Sequence, residues 1–127
     1  MQALLCDDDW RLRRLYRLEF EWAGADVVEA SDGDQCVELA LREAPDVIVL
    51  DLHMPRRGGL AVLPILRRAC PDVPVLVVTA YAGAEVFDYS RRLGATACFS
   101  KPGFLSQIPD VVDQYTPPEP SSPAGAA

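Results

Sequence analysis

The chain has 127 residues and a formal net charge of −7, with half of its residues apolar and a quarter charged. That balance suits one globular domain with a core of its own and excludes a disordered chain. The acidic charge argues against non-specific nucleic-acid binding by this domain. The longest apolar runs, Val47 to Leu50 and Val75 to Val78, fall far short of the ~20 residues a membrane helix needs.

Ala3 to Cys6 reads as a strand, and Asp9 caps a helix that runs to about Ala23. Leu12, Leu15, Tyr16 and Phe20 share one face of that helix, and Gly24 ends it. Asp26 to Ala30 is a second strand. Asp32-Gly33 turns into a helix reaching about Glu43, broken by Ala44-Pro45-Asp46. Val47 to Leu50 is a third strand. Leu60 to Ala69 is a third helix, in which Pro64 is best tolerated if it falls in the first turn. Val75 to Val78, Gly83 to Leu93 and Ala97 to Ser100 supply a strand, a helix ended by Gly94, and a fifth strand. Ile108, Val111, Val112 and Tyr115 mark a short last helix. From Thr116 to Ala127 a Pro/Ser/Ala tail has little to bury and reads as disordered or as a linker stub. The domain is therefore expected to span residues 1–115.

Strands alternating with helices predict an α/β fold, an open and mostly parallel sheet with helices packed on it. In such sheets ligands bind outside the carboxyl ends of the strands, at the point where the winding reverses. Those ends carry Asp7-Asp8-Asp9, Asp51, Thr79 and Lys101-Pro102. Clustered carboxylates need a counter-charge. A hard dication such as Mg²⁺, which takes a few carboxylates and accepts phosphate oxygens, answers that need. A carboxylate in such a place can attack phosphorus, and a hydroxyl and an ammonium suit the phosphoryl oxygens. Of the twelve basic residues eleven are arginine, and the single lysine, Lys101, falls in this group, where a compact ammonium serves better than a planar guanidinium.

Over residues 2 to about 115 the chain resembles the receiver domain of two-component response regulators. The resemblance rests on Leu4-Leu5-Cys6-Asp7-Asp8-Asp9, on Asp51-Leu52-His53-Met54-Pro55 with Gly59 after it, on Val78-Thr79-Ala80, and on Ser100-Lys101-Pro102. It implies a doubly wound, flavodoxin-like sheet of five parallel strands in the order 2-1-3-4-5 with helices on both faces. It implies Asp51 as phosphoacceptor, and Mg²⁺ held by Asp8, by Asp7 through water, by Asp51 and by the backbone carbonyl of His53. Thr79 and Lys101 would bind the phosphoryl group, the small Ala80 would keep its pocket open, and Pro102 would follow a cis peptide bond. The implied donor is a histidine kinase or a phosphotransfer domain. The implied output is a shifted equilibrium of the face made by the fourth helix, fifth strand and last helix, read by a protein target or by an effector domain of a longer chain. The domain would catalyse only its own phosphorylation and dephosphorylation.

The sequence departs from that pattern at Cys98, where most of the family has an aromatic residue, and at Gly103, which separates Pro102 from Phe104. His53 and Tyr81 hold positions that tune water attack on the phosphoryl group. A ring at each implies shielding and slow autodephosphorylation, against the plainer reading that both point to solvent. Trp10, Trp22, Arg11, Arg13, Arg14 and Arg17 read as a solvated basic face or as a docking surface. Cys6, Cys36, Cys70 and Cys98 lack CxxC spacing and read as reduced thiols, not a zinc site. With no basic, long apolar leader at the N-terminus, the expected location is cytoplasmic. Two other classes compete. A pseudo-receiver would bind proteins unphosphorylated, although such domains usually lose one of the residues that remain here. A phosphatase with an aspartyl nucleophile would want its Asp pair after the first strand, and a cap domain.

Overall fold

A computed structural model of the protein describes residues 1–80 and 83–118. β1 (Gln2–Cys6), β2 (Asp26–Ala30), β3 (Val47–Leu50), β4 (Val75–Thr79) and β5 (Ala97–Ser100) form one parallel sheet in the order β2-β1-β3-β4-β5. Between the strands run α1 (Trp10–Trp22), α2 (Gly33–Glu43), α3 (Gly59–Ala69) and α4 (Ala84–Leu93). After β5 come α5 (Lys101–Phe104), a 3₁₀ turn (Leu105–Gln107) and α6 (Ile108–Tyr115). The strand order and the doubly wound arrangement are those implied by the resemblance to receiver domains.

Local chemistry explains where the helices start and stop. The Asp9 carboxylate accepts from the N–H groups of Arg11 and Leu12, and Asp32 accepts from Gln35, so each caps a helix. Gly24 and Gly94 follow α1 and α4 with φ of 96° and 121°, a left-handed backbone that glycine reaches at least cost. One expectation is corrected. Pro64 lies inside α3, beyond its first turn. It removes the donor for the Leu60 carbonyl, and Leu60 sits on the exposed side, where water can take that bond. The last helix, α6, forms over Ile108–Tyr115 as its pattern predicts, and the short α5 at Lys101–Phe104 precedes it; Pro102 and Pro109 occupy first-turn positions where a missing N–H costs nothing.

Strand side chains alternate between two cores. Leu4, Cys6, Ile48, Leu50, Val75 and Val77 face α2 and α3. Ala3, Leu5, Val47, Val49, Leu76 and Val78 face α1 and α6, where Tyr16, Phe20, Phe104 and Ile108 fill the layer. Phe104 anchors α5, meeting Tyr16 edge-on and Phe99 at a tilt, both at 5.2 Å. Full burial of a Leu or Phe contributes about 1.5–3 kcal/mol each, so the paired layers hold the strand tips in fixed register.

Candidate functional site

Strand register builds the site. Cys6 pairs with Leu50, so Asp7 and Asp51, each one residue further, emerge side by side where the winding reverses between β1 and β3. Thr79 pairs with Ser100, which brings Lys101 to the same edge. Asp7 and Asp51 are 4% and 2% exposed, Thr79 is fully buried, and Asp8 is exposed at the rim.

The Lys101 ammonium reaches both buried carboxylates, 3.2 Å from Asp51 Oδ2 and 3.2 Å from Asp7 Oδ2. Asp7 Oδ1 accepts from the backbone of Asp9 at 2.9 Å. The Asp51 N–H is anchored on the Cys6 carbonyl at 2.9 Å, and the Asp7 N–H on that of Ala30 at 3.1 Å. Asp51 Oδ1 is buried and has no hydrogen-bond partner among the described residues. The ammonium thus pairs with two carboxylates of a group of three, Asp7, Asp8 and Asp51, each of which offers an oxygen within 4.8 Å of the others. Burial lifts the Asp7 carboxyl to about 6, with the Asp51 charge adding to the rise, against the opposing pull of the Asp9 N–H and of Lys101. Burial works against the Lys101 charge, yet Asp7 and Asp51 together outweigh it and raise the ammonium above its ordinary value. The cluster is anionic, walled with hard oxygen donors, and includes an orphaned buried oxygen. That donor set fits a small divalent cation such as Mg²⁺.

The family model described as "Response regulator receiver domain" matches residues 3–113. The chain belongs to that family. It is 30% identical over 116 residues to sporulation initiation phosphotransferase F of Bacillus subtilis, covering 91% of this chain and 94% of that protein. It is 41% identical over 108 residues to response regulator MprA of Mycobacterium leprae, covering 85% of this chain but 47% of MprA. Among solved structures it superposes on the Francisella response regulator 1452 receiver domain with a TM-score of 0.84 at 28% identity, covering 90% of this chain and 94% of the other. It superposes on the response regulator domain of Thermotoga maritima CheB with a TM-score of 0.80 at 26% identity, covering 91% and 92%. A receiver domain of this kind is a phosphorylation-based signalling switch of two-component systems, and among its described residues no helix is long and apolar enough to cross a membrane.

Not every residue singled out in this receiver domain converges on the cluster. His53 and Ala80 are exposed at the rim, and Tyr81 lies outside the described residues. Cys98 is half-buried and turned away, its sulfur 3.7 Å from the Phe87 carbonyl under α4. The Lys101–Pro102 bond is trans, which corrects the cis bond expected there. The chain enters α5 directly at Lys101, and Pro102 fits the first helical turn in the trans form.

Other residues shape the site without announcing themselves in a strand-end pattern. Arg13 donates to the Asp7 carbonyl at 2.7 Å and to Glu29 at 2.9 Å, and Arg17 donates to Glu29 and Glu21. Half of the supposed basic face of α1 is therefore internal bracing. Gly59 is required where it stands, since a Cβ there would lie 2.4 Å from the Asp51 carbonyl oxygen. The Gly58-Gly59 doublet was the available signal for that close approach.

Proposed function

We propose that Asp51 accepts a phosphoryl group from phosphohistidine of a histidine kinase or phosphotransfer domain and that the aspartyl phosphate resets the surface around α4, β5 and the last helix, α6. The observation that carries this is Lys101, bridging Asp51 and Asp7 at 3.2 Å each beside the unpartnered Asp51 Oδ1. A carboxylate oxygen of Asp51 attacks phosphorus, the P–N bond breaks, and its electron pair leaves with the imidazole. Lys101, 3.2 Å from Asp51 Oδ2, would neutralise a phosphoryl oxygen, and Thr79, whose register with Ser100 puts it at the same sheet edge, would offer its hydroxyl. Asp7, Asp8 and Asp51, with the His53 carbonyl, would hold Mg²⁺, which when bound supplies charge neutralisation for the transferring group.

Docking of the donor is supported by α1. Leu15, Leu18 and Trp22 are 50%, 57% and 92% exposed along its outer face, with Trp10 at the end nearest the carboxylates. Large apolar side chains gathered on one outward helix face mark a protein contact rather than a solvated surface.

The test is intact mass after incubation with Mg²⁺ and acetyl phosphate, beside an Asp51→Asn control. One phosphoryl adduct that needs Mg²⁺ and is absent from the control supports the assignment. No adduct, together with no binding of beryllofluoride and Mg²⁺, supports a pseudo-receiver that works as an unphosphorylated binding module. Decay of the adduct within seconds would remove the shielding role of His53 and Tyr81.

A further inference from the structure

We propose that Cys6 and Cys36 are an oxidative modification site, closing to an intramolecular disulfide under a peroxide-class oxidant directly behind the carboxylate cluster. Their sulfurs lie 2.7 Å apart, which is ~0.7 Å from the ~2.05 Å of a disulfide bond. Both residues are free thiols here. They come from distant chain positions, 30 residues apart, one ending β1 and the other in α2, and the fold alone brings them together.

The four cysteines are not equivalent. The sulfur of Cys70 faces the Ala40 carbonyl at 3.8 Å, and that of Cys98 faces the Phe87 carbonyl at 3.7 Å. Only Cys6 and Cys36 offer each other a sulfur partner among the hydrogen-bonded contacts of the described residues.

The reaction balances with one peroxide. The first thiol's sulfur attacks a peroxide oxygen, the O–O bond breaks, and water leaves behind a sulfenic acid. The second sulfur attacks the sulfenic sulfur, the S–O bond breaks, and a second water leaves as the S–S bond forms. Two electrons pass from the thiols to the peroxide, and the two thiol protons end in the two waters. Cys6 and Cys36 are 1% and 0% exposed, so attack waits on local opening of the fold. The modification is accordingly slow, and the closed bond is screened from bulky reductants.

The position gives the bond its consequence. The Cys6 carbonyl holds the Asp51 N–H, and Cys6 precedes Asp7 in the chain. A disulfide ties α2 to the strand end that carries both carboxylates. It also closes a loop spanning 30 positions of the unfolded chain, which raises Tm by on the order of 10 °C in the chain-entropy account.

The experiment treats the full chain with hydrogen peroxide, alkylates it with iodoacetamide in denaturant, and maps tryptic peptides. The expected result is loss of two hydrogens, alkylation of two of the four cysteines, and a joined pair of peptides 1–11 and 18–42 that dithiothreitol separates. The oxidised chain should melt higher than the reduced one, and Cys36→Ser should give no joined peptide. The map on the unsubstituted chain decides the matter even where that variant folds poorly. Four alkylatable thiols after oxidation, sulfinic or sulfonic adducts without a crosslink, a bond through Cys70 or Cys98, or a bond between two chains would each overturn the proposal.

Discussion

Asp7→Asn should make the metal-free protein more stable at neutral pH, although it removes a residue of the proposed site. Asp7 is 4% exposed and shares one ammonium with Asp51. Its carboxyl is lifted from 3.8 to about 6, chiefly by burial, with Asp51 adding. At ~1.36 kcal/mol per pH unit, keeping it ionised in the fold costs about 3 kcal/mol relative to the unfolded chain. Asparagine resembles the protonated acid and escapes that cost, although its amide meets Lys101 less well, so about 1–3 kcal/mol is the expected gain. The sign follows from proton binding. Between pH 3.8 and about 6 the folded chain holds a proton that the unfolded chain has lost, so the contribution of Asp7 is most favourable below this window and is lost as pH rises through it. Urea unfolding in EDTA, at about pH 4 and at neutral pH, reads both effects. The variant should match the parent at the acid end, exceed it at neutral pH, and lack that part of the slope. A variant weaker than the parent at neutral pH, or one retaining the parent's slope, refutes the charge argument.

Mg²⁺ should counter the same repulsion: at about a hundredfold excess over Kd it should add about 2.7 kcal/mol of stability. Thermal unfolding of the parent and of Asp8→Ala checks this, and a parent that melts alike with and without Mg²⁺ excludes the cluster as a divalent site. Gly59→Ala should lose about 2 kcal/mol or more in urea unfolding, because the new Cβ meets Asp51 O at 2.4 Å and Leu52 Cα at 2.7 Å, both backbone atoms that cannot swing aside. Leu18→Asp on the outer face of α1 should weaken transfer from a phosphohistidine donor protein roughly tenfold or more while leaving modification by acetyl phosphate unchanged. Equal loss with both donors would place the fault in the fold and not in docking.

Much of this receiver was legible along the chain because the signals are local. The apolar runs of β3 and β4, the caps at Asp9 and Asp32, and the glycines after α1 and α4 depend on a few neighbouring residues, and each element formed about where its pattern lies. The site residues were legible for a related reason: Asp7, Asp51, Thr79 and Lys101 follow strands, and a parallel sheet brings strand ends to one edge. What the sequence could not supply is which atoms meet. The Lys101 bridge to two carboxylates, the Arg13 brace on the Asp7 carbonyl, the turn of Cys98 toward α4, the trans bond before Pro102 and the contact of Cys6 with Cys36 depend on register and on the packing of helices over the sheet. Periodicity says that a side chain points inward. Only the packed fold, where distant segments compete for the same volume, says which side chain it finds there.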